Sequence, residues 1–110
     1  DAAMNDLARP ALYGATHAIW PVEKRGGKQE TVDVVGPICE SGDFLARDRK
    51  MAVSIRQGDI LAVLKVGAYG FSMSSQYNSR PRAAEVLIDG AKTRLVRRRE
   101  TLSDIITHEL

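Results

Sequence analysis

The chain has 110 residues, 44% of them apolar and 27% charged, with a formal charge of +2 at neutral pH. These values describe one globular domain with a modest core, and so small a charge gives no field that would argue for nucleic acid or a membrane as partner. The single cysteine excludes an internal disulfide and a cysteine-built zinc site, no 18-residue apolar run or signal-like start is present, and we expect a cytoplasmic protein.

Residues 1–8 show no capped helix or strand. Pro10 suits the first position of a short helical turn, and residues 13–20 then alternate well enough for a strand ended by Pro21. Lys24, Arg25, Gly26, Gly27 and Lys28 make a solvated turn, which predicts a hairpin from this strand into the β-branched run 30–35. Gly36-Pro37 ends that run, because proline has no N–H and glycine allows unusual dihedrals.

The loop that follows, Ile38-Cys39-Glu40-Ser41-Gly42-Asp43, sets the only thiol beside a carboxylate. A lone cysteine in a soluble domain is commonly an inert buried side chain. Its neighbours here are those of a loop, and loops held by a rigid scaffold carry a large share of functional sites. Asp43 is placed to cap a short helical turn over residues 44–47.

Residues 50–56 read as a third strand, and Gln57-Gly58-Asp59 turns the chain into the apolar run 60–66, expected to be covered on both faces. It stops at Gly67-Ala68-Tyr69-Gly70, where two glycines leave room for a backbone or a ligand to approach closely. Residues 71–77 predict a short polar helix with Met73 and Tyr77 on one face. Residues 84–88 and 93–97 flank Asp89-Gly90-Ala91-Lys92, a hairpin signal. Thr101 with Asp104 predicts the start of a short terminal helix. About six strands at short spacing with small helices between them argue for a mainly β barrel or sandwich rather than alternating α/β.

Arg94, Arg97, Arg98 and Arg99 lack interleaved aromatics and are followed by Glu100 and Asp104, so they read as a solvated strand end rather than a phosphate site. His17 and His108 have no ligand spacing around them, and no metal is expected. Tyr13 and Tyr69 are amphipathic, and such tyrosines are more often core-edge aromatics than ligand contacts.

Four motifs in order, Arg9-Pro-Ala-Leu-Tyr13, Cys39-Glu-Ser-Gly-Asp43, Gly67-Ala-Tyr69-Gly and the run from Tyr77 through Asn-Ser-Arg-Pro-Arg, resemble the C-terminal β domain of the diaminopimelate decarboxylases. These are pyridoxal-phosphate enzymes of the alanine-racemase-like fold type III. The resemblance spans nearly the whole chain. It implies a partner α/β barrel that carries the cofactor lysine and is missing from these 110 residues, a homodimer, and a β domain completed by a segment from elsewhere in the protein.

Carried over residue by residue, the resemblance makes Cys39 the proton donor after decarboxylation, since a thiol in water is mostly protonated at neutral pH. It makes Glu40 the partner of the distal ammonium of meso-diaminopimelate, and Arg9 and Tyr13 the holders of its distal carboxylate. Tyr69 is then a contact of both the cofactor phosphate and the substrate. None of Lys24, Lys28, Lys50, Lys65 and Lys92 sits in a motif like the barrel's lysine motif, so this chain is not expected to hold pyridoxal phosphate covalently. Two other readings stand beside this one. A related ornithine- or arginine-type decarboxylase would usually show Asp where Glu40 stands and would have no use for Arg9. A non-catalytic β-barrel binding module is the other.

Overall fold

A computed structural model describes residues 1–110 as six strands and three short helices, in the order α1 (Arg9–Tyr13), β1 (Ile19–Pro21), β2 (Gln29–Val35), β3 (Phe44–Ala52), β4 (Leu61–Val63), α2 (Tyr69–Ser72), β5 (Glu85–Asp89), β6 (Lys92–Arg97) and α3 (Leu102–Ile105). The mainly β class with helical decoration is as expected. The strands form three antiparallel pairs, β1 with β4, β2 with β3 and β5 with β6, and no closed barrel. No helix is long and apolar enough to cross a membrane.

Local signals hold where the partner is close in sequence. Asp89 pairs with Lys92 across a two-residue turn whose Gly90 has φ +58°, the conformation that suits glycine at the first central position of a hairpin. Thr101 and Asp104 form a reciprocal capping box at the start of α3. Asp104 is also gripped by Arg98 through bonds of 2.5 and 2.6 Å, so this arginine is an ion-paired strand end.

Tertiary contacts override the other expectations. Residues 44–47 are strand, not helix: the Asp43 carboxylate accepts the Met4 N–H at 2.8 Å and the Ile38 N–H at 2.7 Å. It therefore does not cap a helix ahead of it, and the chain pairs Phe44 with Val35 and Ala46 with Val34. The predicted strand over 50–56 is the end of this longer β3, which stops at Ala52.

Residues 13–18 are not strand, because α1 runs through Tyr13 and is stopped by Gly14 at φ +64°. Only Ile19–Pro21 is extended. It pairs with β4 rather than forming the expected hairpin with β2. The run 60–66 shortens to a three-residue β4, half-buried and paired on one side, with Ile60 exposed. The helix expected over 71–77 is the four-residue α2, which ends before Met73, and Tyr77 starts a separate 3₁₀ turn, Tyr77–Ser79.

Only eleven residues are buried, and four of them, Ala3, Asn5, Leu7 and Pro10, come from the amino-terminal stretch and the start of α1. Ala3, at 0% exposure, packs on Gly36, where an added Cβ would lie 2.6 Å from the Ala3 Cβ and 2.4–2.5 Å from the Asp43 carboxylate oxygens. Gly36→Ala is therefore expected to cost about 1–3 kcal/mol by overpacking. Asp43→Ala, which strands two backbone donors, should cost at least about 2 kcal/mol. Gly42→Ala meets nothing closer than 3.7 Å and should stay within about 0.5 kcal/mol of the parent. Urea denaturation midpoints measure all three, and equal midpoints for Gly36→Ala and Gly42→Ala would contradict the packing.

Candidate active-site face

The loop between β2 and β3 is closed at its neck by the Gly36 N–H donating to the Asp43 carbonyl at 3.2 Å. Inside it the Glu40 N–H donates to the Ile38 carbonyl at 2.8 Å. This is a three-residue γ-turn with Cys39 at its apex, and the thiol-bearing residue is exposed. The Asp43 N–H then donates to the Glu40 carbonyl at 3.0 Å. Three hydrogen bonds across eight residues thus fix where Cys39 and Glu40 stand.

The Glu40 side chain is oriented in turn. Oε1 accepts the Gly42 N–H at 3.0 Å and the Ser41 hydroxyl at 3.2 Å, and Oε2 accepts the Tyr77 hydroxyl at 3.4 Å. The Gly42 N–H, then the Ser41 hydroxyl, hold this carboxyl below the ordinary glutamate range, because donors aimed at a carboxylate favour its charged form. At neutral pH Glu40 is an anion with a set direction.

A second group forms around Arg9. Arg9 and Tyr13 are one helical turn apart on α1 and so share a face. The Arg9 guanidinium carbon lies 5.7 Å from the Tyr13 ring centre and 5.6 Å from that of Tyr69, the first residue of α2. Such cation–π stacking leaves the N–H edge of the guanidinium open to a carboxylate. Of the five residues singled out in the sequence, Arg9, Tyr13 and Tyr69 are thus brought into one cluster, and Cys39 and Glu40 sit on one loop. No hydrogen bond or cation–π contact joins the two groups directly.

Residues 3–7 join them indirectly. Met4 is tied to Asp43 in the cysteine loop, while Asn5, 2% exposed, receives the Ser75 N–H at 2.9 Å on its carbonyl and the Arg80 Nε–H at 3.1 Å on its side chain. Leu7 and Ala8 lead straight into Arg9. Sequence reasoning passed over this stretch because it has neither periodicity nor caps. It also missed Tyr77 as a neighbour of Glu40, a contact across 37 residues that no local pattern announces.

Tyr13, Cys39, Glu40 and Tyr69 are exposed, and none of the five candidate residues lines the 690 Å3 apolar cleft among Ile19, Val34, Leu45, Ile60 and Leu61. Comparison with known proteins gives the class of this strand-rich domain. The model of the pyridoxal-dependent decarboxylase C-terminal sheet domain matches residues 1–67, and the chain belongs to that family.

The relatives carry the narrower name that the sequence motifs resembled. The chain is 58% identical over 105 residues to the diaminopimelate decarboxylase of Vibrio cholerae, covering 96% of this chain and 25% of that protein. It superposes on a crystal structure of an Aquifex aeolicus protein with a TM-score of 0.94 at 52% identity, over all of this chain and 28% of the other. It also superposes on the Helicobacter pylori diaminopimelate decarboxylase complexed with L-lysine, with a TM-score of 0.88 at 46% identity, over 97% of this chain and 26% of that one. The chain spans about a quarter of the length of the curated relatives it matches.

The family name implies pyridoxal phosphate. Tyr69, 62% exposed beside Arg9, fits as a contact for such a group.

Carboxyl-carbon NMR titration of Glu40 should give a midpoint below that of ordinary glutamate, and Ser41→Ala should move it up. Because the folded value is depressed, the linked contribution to stability is present above the ordinary glutamate pKa and is lost as pH falls through the lower, folded one. An unshifted midpoint would contradict the hydrogen-bond geometry.

Proposed function

We propose that this chain is the C-terminal β domain of a diaminopimelate decarboxylase, which converts meso-diaminopimelate to L-lysine and carbon dioxide in the cytoplasm as a homodimer, with pyridoxal phosphate anchored on an α/β-barrel domain. The observation that carries this is chemical: an anionic, pre-aimed Glu40 beside an exposed thiol, and a guanidinium with a free N–H edge on the neighbouring cluster. That pairing suits a substrate whose far end carries both an ammonium and a carboxylate. The high identity to enzymes of that name across the whole chain supports it.

When bound, the cofactor supplies the electron sink that lets the substrate carboxylate leave. The residues of this chain bind, orient and deliver a proton. Glu40 takes the distal ammonium, and Arg9 with Tyr13 takes the distal carboxylate, for which a guanidinium fork is suited. Tyr69 would contact the cofactor phosphate and the substrate. Cys39 gives the proton from Sγ to the carbon that has lost carbon dioxide. The open face is closed by the barrel and by the second subunit, so that water is kept from the reacting carbon. A decarboxylase for a basic amino acid without a distal carboxylate would leave Arg9 with no partner, which favours diaminopimelate.

In the full-length enzyme, Cys39→Ala is expected to lower kcat about 10²–10⁴-fold with little change in KM, the range lost with a general acid. Glu40→Gln should raise KM about 10-fold or more, since it removes a charged partner of the ammonium. Steady-state lysine release from meso-diaminopimelate measures both. If both variants changed KM alone and by equal factors, the assignment of a proton donor and a binding residue would fail.

A further inference from the structure

We propose that Tyr77 is a positioning residue for Glu40, fixing the direction of the carboxylate that receives the distal ammonium; this rests on the function proposed above. An ionised carboxylate offers about four acceptor positions on its two oxygens. On Oε1 the Gly42 N–H and the Ser41 hydroxyl occupy two of them, and both donors come from residues adjacent to Glu40. They ride on the same loop as Glu40 and so orient the carboxylate only relative to that loop. The Tyr77 hydroxyl takes a third position, on Oε2, from a segment 37 residues further along the chain. Held from two directions, Glu40 has one acceptor position open, on Oε2, and that is where an ammonium docks.

The segment bearing Tyr77 is shaped for this placement. Asn78 and Ser79, the two residues after it, both have left-handed backbones, φ +56° and +55°. Two consecutive non-glycine residues in that region carry a steric cost that persists only where the surroundings impose it, and such strain gathers at functional sites.

Here the surroundings are visible. The Tyr77 N–H donates to the Ser75 hydroxyl at 3.3 Å, and the Tyr77 carbonyl accepts the Arg80 N–H at 3.4 Å. Arg80 is itself tied to the Asn5 side chain and to the Asp1 carbonyl. The ring is not core, being 45% exposed, so packing does not explain why the chain accepts this geometry. The 3.4 Å contact is long for a hydroxyl donor, as hydrogen bonds in sites without substrate often are. The Tyr77 hydroxyl also acts in the same sense as Gly42 and Ser41, after them, in keeping Glu40 ionised.

The test is a double-mutant cycle in the full-length decarboxylase. Tyr77→Phe removes the hydroxyl and keeps the ring. It should raise KM for meso-diaminopimelate about 3–10-fold, more than it lowers kcat, with melting temperature and cofactor absorbance like the parent's. In a Glu40→Ala background the same change should add less than about 2-fold, because a residue that acts through Glu40 has nothing left to act on. A parent enzyme inactive on meso-diaminopimelate would overturn the function and this role together. An active parent in which Tyr77→Phe leaves KM unchanged, or multiplies in full with Glu40→Ala, overturns the role of Tyr77 alone.

Discussion

A buried carboxylate holding two backbone N–H groups is the interaction on which the rest of this domain depends. Asp43, 5% exposed, takes one donor from Met4 and one from Ile38, and a charged acceptor makes these bonds stronger than neutral ones would be. The bonds join the amino-terminal turn to the cysteine loop across 39 residues. They also require glycine at position 36, whose missing Cβ is the space the carboxylate fills. Asn5, one residue from Met4, extends the same junction to the segment of Ser75 and Arg80. The cysteine loop, the Arg9 helix and the Tyr77 turn are thus all referred to residues 3–7.

With a tenth of its residues buried, the domain cannot rely on jigsaw packing to position side chains, since the shape of a core is what usually does so. Polar pins and stacked arginines take over that work. Phe71 receives Arg97 on its ring at 3.9 Å and Arg82 at 5.7 Å. The Glu100 carboxylate accepts the Arg82 N–H at 2.9 Å as well as the Gln76 amide. These contacts anchor an otherwise exposed β5–β6 ribbon to the α2 region. Of the arginine-rich strand end, Arg97 pairs with Glu85 and Arg98 with Asp104, which fits a structural rather than a phosphate-binding use.

How much of this the sequence discloses depends on the distance over which each feature is decided. The Asp89-to-Lys92 turn and the Thr101 capping box are closed by neighbours and were legible. Residues 44–47 were not, because the side chain that was to cap them is recruited by a residue 39 positions earlier. Nor was the pairing of β1 with β4, where a near hairpin partner competes with a distant strand and loses. In the site, the Cys39–Glu40 loop announced itself through its turn residues. Arg9 and Tyr13 were ordinary by composition and stood out only through resemblance, whereas Tyr69 was flagged by the glycines on either side of it. Tyr77 was assigned to the wrong element, since two left-handed residues after it are invisible to a helical pattern.

The same distribution of constraints explains how an exposed face can serve precise chemistry. Ordering a long polar side chain at the moment of binding costs conformational entropy, and a group already held in its bound direction avoids that cost. Glu40 is exposed yet fixed by donors on both oxygens, and Arg9 is half-buried and stacked against two rings. Each is immobilised by contacts that leave its ligand-facing edge free. Cys39 differs: its placement comes from the backbone of a γ-turn and not from its side chain. Under the roles proposed above, a proton donor gains from a thiol free to turn, whereas a group that recognises charge gains from being held still. The backbone pins fix the turn that carries the thiol and the side-chain pins fix the charges, and both trace back to the Asp43 and Asn5 junction.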